Sequence, residues 1–472
     1  MRILGSASGS KFGTVISSRD KRVILMVFFV IYLALSGFLI AVHEPWRDEI
    51  HAWFMAKYMT IPEMISFSRY DGHPIFWHLL LRPFARLGAP IWTMHLVSFV
   101  IVSVSAYLFL FKTNISAIVK PVILFTLPFL YTYSSISRNY CLVLILGVSI
   151  CVMYSKRYEH PLLYSVLICL TVFSHALAWG FVAGLTITFH IYEIVLKIAR
   201  KSRLDKKAFG CIIAGFLLIV ISTVAVVVTL YGTENPTYSV QDNPYTNEVV
   251  LTLLILMLAS LVILVLAKFK IWKEVLIHVL TMGFMVLIYT KHYSGILLPR
   301  LILIQVFLLC FMMLIDNCGL DVKKLVRIAV AVVFFASFFM CHSLVDTFSC
   351  IKDDILWNYS SGKEMAEYIN TNLPDEDLIL VDGSTYVKSI MPYTEKKFYD
   401  ISHKADKVDS MFTANDYGLF VESLKDIDNH SEYKGKYLIC YFAMPELPYE
   451  EVYRTSGSIM GEDYVLYRIP EQ

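Results

Sequence analysis

The sequence predicts a polytopic α-helical membrane protein of about eleven transmembrane helices, with interfacial helices in its first outer loop and a small C-terminal extracytoplasmic α/β domain. Three observations carry that reading. The chain is 57% hydrophobic and 17% charged, with a mean hydropathy of +0.60, too apolar for an ordinary soluble protein of 472 residues. Apolar stretches of spanning or near-spanning length recur along the first 350 positions. Between them, clusters of basic residues fall on alternate connections, as cytoplasmic loops require.

The first stretch, 23–42, follows Arg2, Lys11, Arg19, Lys21 and Arg22. It is about twenty residues long and no small-residue cleavage site follows, so it reads as a retained helix, not a signal peptide. Further stretches lie at 91–111, 118–134, 139–155, 160–174, 176–196, 208–231, 249–267, 272–290, 296–315 and 325–345. Lys112 and Lys120, Lys156 and Arg157, the cluster from Lys197 to Lys207, Lys268 to Lys273, and Lys323 to Arg327 all fall on the side of the N-terminus. That side is the cytoplasm of a multi-pass cell-membrane protein. The acidic connections 43–73 and 232–248 face outward, and an odd number of spans places the chain after about residue 346 outside as well.

His73 to Leu87 is apolar and aromatic but holds Arg82 and Arg86. Making it a span would invert every later loop. With Asp48 to Met59 it is therefore expected to lie in the outer interface, with Trp77, His78 and the arginines near headgroups. The expected division is a transmembrane part, 1–350, with its first outer loop at 43–90, and an exported part, 351–472. In the latter, Ser361-Gly362-Lys363-Glu364 has capping-box spacing and opens a helix to about Asn370. Leu378–Val381, Tyr437–Phe442 and Tyr464–Ile469 read as strands, with Asp382-Gly383 as turn chemistry.

Nine cysteines are scattered without metal-ligand spacing, most inside apolar runs where a thiol acts as a small hydrophobe. Cys350 and Cys440 lie in the polar C-terminal part, where export would let them pair, but free thiols are the expectation. With 41 Lys+Arg against 39 Asp+Glu, and no basic stripe interleaved with aromatics, nucleic acid is excluded as a partner.

The densest set of functional groups is His43-Glu44-Pro45-Trp46-Arg47-Asp48-Glu49-Ile50-His51-Ala52-Trp53, just outside the first span. Adjacent carboxylates beside an arginine are ordinary on a membrane surface. Here, however, Asp48 and His51 share a helix face and two tryptophans can hold that helix at the interface. Tyr70-Asp71-Gly72-His73-Pro74 opens the next segment, where Gly72 permits a turn. If the two converge, Asp48, His51, Asp71 and His73 offer oxygen and imidazole ligands for a divalent cation, or a general base. Ser134 to Tyr140 places Arg138 in a short outward turn, and Lys291-His292-Tyr293 with Pro299-Arg300 forms a similar element. Arginines at that boundary suit a lipid phosphate, or an internal carboxylate. His175 and His95 sit at span boundaries, where a histidine is more often structural.

Three of these motifs, Asp48-Glu49 after the first span, Asp71-Gly72-His73-Pro74, and Ser137-Arg138-Asn139-Tyr140, resemble the GT-C superfamily of integral-membrane glycosyltransferases. That superfamily includes protein mannosyltransferases and aminoarabinose transferases. The pattern is most similar to uncharacterised bacterial membrane proteins with a His-Glu-x-Trp-x-Asp-Glu start and a Gly-His-Pro-x-x-Trp continuation. Two departures stand out: Ile75 follows Pro74 where many relatives have a second Pro, and Ser135-Ile136-Ser137 precedes Arg138 where they have Gln-Glu-Ala.

The resemblance implies sugar transfer from a polyprenyl-phosphate donor to an extracytoplasmic glycan, lipid or protein acceptor. It implies Asp48 as the catalytic acid/base position, Asp71 and His73 lining the same site, and Arg138 and Arg300 as phosphate contacts; on the residues alone, Glu49 is a second catalytic candidate and Tyr140, His175 and His292 are further substrate-binding candidates. A transporter of lipid-linked glycans is the main rival, but it would place ionisable groups near the bilayer midplane and show repeated halves. A non-catalytic scaffold is the third class; it would tolerate substitution of Asp48 and Asp71.

Overall fold

The computed structural model describes residues 18–200, 205–230, 246–291, 298–320, 324–341, 344–374, 379–381, 387–401, 424, 427 and 431–471. Its outer loop begins where α1 (Ser18–Val42) ends, and holds α2 (Arg47–Tyr58), α3 (Ile61–Asp71) and α4 (Phe76–Arg86). There follow α5 (Thr93–Lys112), α6 (Val119–Leu124), α7 (Leu127–Leu130), α8 (Thr132–Ser135), α9 (Tyr140–Met153) and α10 (Pro161–Val172). Next, α11 (Trp179–Leu185) runs through a π-helical turn into α12 (Tyr192–Arg200). The rest are α13 (Lys206–Leu230), α14 (Thr246–Leu266), α15 (Trp272–Lys291), α16 (Leu298–Asn317), α17 (Lys324–Cys341), α18 (Leu344–Leu356) and α19 (Gly362–Asn372).

Among the described residues, 7 helices are long and apolar enough to cross a membrane, from Arg19–Val42 to Arg300–Asn317. The stretch 118–134 departs from the expected single helix. It is broken into α6, α7 and α8, because Thr126 is extended, Pro128 sits in the first turn of α7, and Tyr131 leaves helical geometry. Tyr140–Lys156 and Pro161–Val172 are apolar but short; at about 1.5 Å per residue, twelve residues rise only about 18 Å. Elsewhere the bundle packs tightly through small residues. A Cβ on Gly180 would meet Leu280 O at 2.6 Å, and one on Gly184 would meet Ile277 Cα at 2.7 Å, so α11 and α15 approach as close as their backbones allow.

The outer-loop helices are too short to span and are fastened at their ends. Gly72, at φ 70°, ends α3 in the left-handed conformation that L side chains avoid. Arg82 and Arg86, expected near headgroups, both donate to carbonyls at the C-terminus of α2, with Arg86 remaining exposed. Arg82 donates to Ala56 O at 3.2 Å and to Met59 O, and Arg86 to Met59 O at 2.8 Å. The reason is electrostatic: the last carbonyls of a helix carry partial negative charge and need donors. Trp77 and His78 are buried as well.

The C-terminal part holds five strands, β1 (Ile379–Val381), β2 (Phe398–Asp400), β3 (Tyr437–Cys440), β4 (Glu450–Arg454) and β5 (Val465–Arg468). They form one sheet in the order β2-β1-β3-β5-β4. β1 runs parallel to β2 and β3, and β5 runs antiparallel to β3 and β4. Both faces are covered: Ile379, Val381 and Ile439 join Met365 and Ile369 of α19, while Leu380, Leu438 and Tyr467 join a second apolar cluster. That double burial is why the parallel strands read as continuous apolar runs. Strands were expected at three of these places; β2 and β4 were not, since Phe398–Asp400 is three residues long and Glu450–Arg454 is largely charged. Asp382-Gly383 lies outside the described residues.

The expected capping box at Ser361 is absent. Ser361 makes no side-chain cap, and Glu364 is taken by Asn358, Tyr453 and Ser456. The first amides of α19 go instead to Ser360 Oγ (3.2 Å, from Gly362) and to Glu44 of the outer loop (3.2 Å, from Lys363). Cys350 and Cys440 are both free thiols.

Candidate functional site

Helix α2 carries the first candidates, and carboxylates fix its N-terminus. Glu462, beside β5, accepts from Arg47 N at 3.1 Å and holds the Ser360 and Ser389 hydroxyls at 2.7 and 2.8 Å. Burial pushes the Glu462 carboxyl up against those donors. Glu49 accepts from Trp46 N at 3.2 Å. Negative charge at these free amides stabilises the helix start.

Glu49 is fully buried, and its oxygens are occupied: Oε2 also meets His43 Nε2 at 3.3 Å, and Oε1 accepts from Ser137 N. His43 reaches the other way to Asp354 Oδ2 on α18, at 2.8 Å. Burial alone would lower the His43 pKa, but Glu49 and Asp354 outweigh it and raise it from 6.5 to about 10. The ring is therefore an imidazolium between two carboxylates. Because its folded value is raised, its stabilising contribution is complete below about pH 6.5 and is lost as pH climbs toward about 10. The melting temperature is expected to fall over that interval, and to fall less in His43→Gln.

His43, Glu49 and His95 bring three ligand-type atoms within 4.8 Å of one another. Hydrogen bonds already engage them: both nitrogens of His43 face carboxylates, and His95 Nδ1 lies 2.7 Å from Ser135 O. A carbonyl oxygen only accepts, so Nδ1 carries the proton and offers no lone pair.

Asp48 differs from its neighbour. Its side chain is 32% exposed, with Arg138 Nη2 at 3.6 Å and Arg47 Nε at 3.8 Å. Arg138 also donates to the Asp48 backbone carbonyl at 2.6 Å. Burial would raise the carboxyl, but Arg138, Arg47, His73 and Arg300 together hold it below its ordinary range. These four come from separate elements, so the fold brings together residues that are far apart in sequence.

A histidine chain adjoins them. The His73 and His175 rings stand 5.3 Å apart, and Tyr140 lies 4.9 Å from His175. His175 Nδ1 accepts from Leu177 N at 3.0 Å, and Asn139 ties Ser174 O to the start of α9 at 2.8 Å. His51 Nδ1 meets Lys388 Nζ at 2.8 Å, and Lys388 is only 2% exposed. Burial first, then Lys388, His78, Arg138 and His73, push His51 well down, so it is neutral and accepts from the ammonium. Burial and Arg138 push His78 down to about 3.

Of the residues singled out in the sequence, Asp48, His51, His73, Arg138, Tyr140, His175 and Arg300 gather here. His292 lies outside the described residues. Asp71 ends α3, and its side chain is outside the described part. Sequence reasoning missed Lys388, Asp354 and Glu462, and gave His43 and Ser137 no roles. No local pattern marks the first three, which reach His51, His43 and Arg47 from more than 300 positions away.

The charge around Asp48 decides what the site suits. Arg47, Arg138 and Arg300 act on a single accessible carboxylate, and Lys388 sits on His51, about one turn further along the same helix, a cationic excess that disfavours a divalent cation at Asp48, His51 and His73 and favours an anion.

No family model matches the sequence, and no curated protein matches it. Two solved structures are similar to it over 96% of this chain and 98% of theirs. One is ArnT from Cupriavidus metallidurans bound to undecaprenyl phosphate, with 13% identity and a TM-score of 0.46. The other is the same protein in the apo state, with 12% identity and a TM-score of 0.47.

Proposed function

We propose that the chain is a GT-C-type glycosyltransferase that moves a sugar from a polyprenyl-phosphate donor to an extracytoplasmic acceptor. The observation that carries this reading is the set of cationic groups converging on Asp48 at the end of an apolar bundle. Arg138, Arg300 and Lys388 hold the donor phosphate, with bidentate guanidinium geometry suited to its oxygens. The acceptor hydroxyl attacks the anomeric carbon, its proton passes to Asp48, and the bond from that carbon to the phosphate oxygen breaks. The polyprenyl phosphate leaves with the electron pair, its growing charge met by the same cations. A single displacement inverts the anomeric centre.

The depressed Asp48 pKa keeps it ionised and ready to accept. Its basicity rises once the phosphate engages Arg138 and Arg300. Glu49, with every oxygen occupied, sets the position of Ser137 and hence of Arg138. The same reading places the N-terminus in the cytoplasm and 351–472 outside, with about eleven passes in all. The test is transfer by purified protein from polyprenyl-phosphate sugars. Transfer that survives Asp48→Asn at the wild-type rate removes Asp48 from the reaction.

Lys388 is the contribution of the C-terminal part to this site. Lys388→Met keeps the length and removes the charge. It is expected to raise the KM for the donor by about ten- to a hundredfold, the loss of one charged hydrogen bond of roughly 1.5–3 kcal/mol. Steady-state kinetics against donor concentration check it.

A further inference from the structure

A cavity of about 970 Å³ lies apart from the Asp48 cluster, and none of Asp48, His51, His73, Arg138 or Arg300 lines it. Its lower wall is apolar and belongs to membrane-spanning helices: Ile40, Ala41 and Val42 of α1, and Leu96 of α5. Gly37 leaves further open space there, since nothing stands within 4 Å of where its Cβ would be. Its upper rim carries Glu44, Glu364 and Glu367 against the single lysine Lys363. Asp354 and His43 also line it but are paired with each other, so neither adds net charge to the rim. Trp92 and Trp357 flank the opening and are 59% and 68% exposed, as interface-anchoring tryptophans are.

A second observation points to a ligand. His95 lines this cavity and is 2% exposed. With Nδ1 committed to Ser135 O, its Nε2 carries the lone pair, and that buried atom has no hydrogen-bond partner among the described residues. A buried acceptor of this kind is satisfied by an N–H donor.

The profile runs from apolar at membrane depth to acceptor-rich at the headgroup level. We propose that this groove seats an ethanolamine phospholipid, with a chain along α1 and α5, its primary ammonium among the rim carboxylates, and its phosphodiester toward Lys363. An anionic lipid is opposed by the carboxylates, and a trimethylammonium headgroup has no N–H to give them or His95. The seat is opposite in charge to the Asp48 cluster and stands whether or not the chain transfers sugar.

The test uses the full chain in phosphatidylcholine nanodiscs, doped with bromine-labelled-chain lipids that quench nearby tryptophan. The signal is the part of the fluorescence lost in Trp92→Phe and in Trp357→Phe. Brominated phosphatidylethanolamine is expected to half-quench it at a mole fraction at least fivefold lower than brominated phosphatidylcholine or phosphatidylglycerol needs. The combined Glu44→Gln and Glu367→Gln variant is expected to abolish that preference. Glu367 is exposed, so Glu367→Gln alone, expected to reduce the preference, serves if the pair does not fold. Equal quenching by the three lipids, preference for the glycerol headgroup, or a preference unchanged in these variants would overturn the proposal. No sugar donor is present, so the outcome is independent of the transfer assay.

Discussion

Asp48→Asn is expected to lower the turnover of sugar transfer by about 10²–10⁴-fold, the range a positioned general base supplies. The melting temperature should hardly move. Asn keeps the shape of Asp, and the 2.6 Å bond from Arg138 goes to the Asp48 backbone carbonyl, which the substitution leaves in place. The side-chain contacts it weakens are 3.6 and 3.8 Å long and partly exposed, where an ion pair contributes little to stability. Donor KM should stay near the wild-type value, because Arg138, Arg300 and Lys388 still meet the phosphate. A loss in kcat with KM unchanged separates a group that acts on the reacting proton from one that binds.

The substitution one position on should do the opposite. Glu49→Gln places an amide NH2 where the carboxylate accepts from Trp46 N, Ser137 N and His43. At least one donor then faces another donor in a fully buried site, and the His43 imidazolium keeps only Asp354. Breaking a buried charge pair this way costs roughly 3–5 kcal/mol. The expected result is a large drop in melting temperature in detergent, with activity lost through the displacement of Ser137 and Arg138. Two adjacent carboxylates thus give distinct signatures, kinetic for Asp48 and structural for Glu49.

The sequence alone offers no way to tell these two apart, since they are neighbours in the same motif. Burial distinguishes them: the helix turns Asp48 toward Arg138 and Glu49 toward His43. What was legible was whatever local chemistry dictates. The apolar run after residue 22 had to be a helix, and His73 to Leu87, too short and carrying two arginines, could not be a span without inverting the loops. Asp48, His73, Arg138 and Arg300 stood out because charges and imidazoles at a span boundary need a reason to be there.

What escaped depends on long-range pairing. Lys388 sits in an unremarkable stretch, and only the docking of the C-terminal part brings it to His51. The capping-box spacing at Ser361 was correct as a pattern, but Glu44, remote in sequence, supplied a carboxylate for the helix while three donors took Glu364. The break at Thr126 and Tyr131 was hidden because hydropathy counts apolar residues and is blind to backbone angles.

The decisive comparison is equilibrium binding of a polyprenyl phosphate and of the matching polyprenyl alcohol to the purified chain. Phosphate recognition by the cluster around Asp48 requires that the wild type bind the phosphate far more tightly than the alcohol. Arg138→Met should lose at least tenfold in affinity for the phosphate and nothing for the alcohol. Equal affinity for the two lipids, or phosphate binding unchanged in Arg138→Met, would contradict an anion site at Asp48.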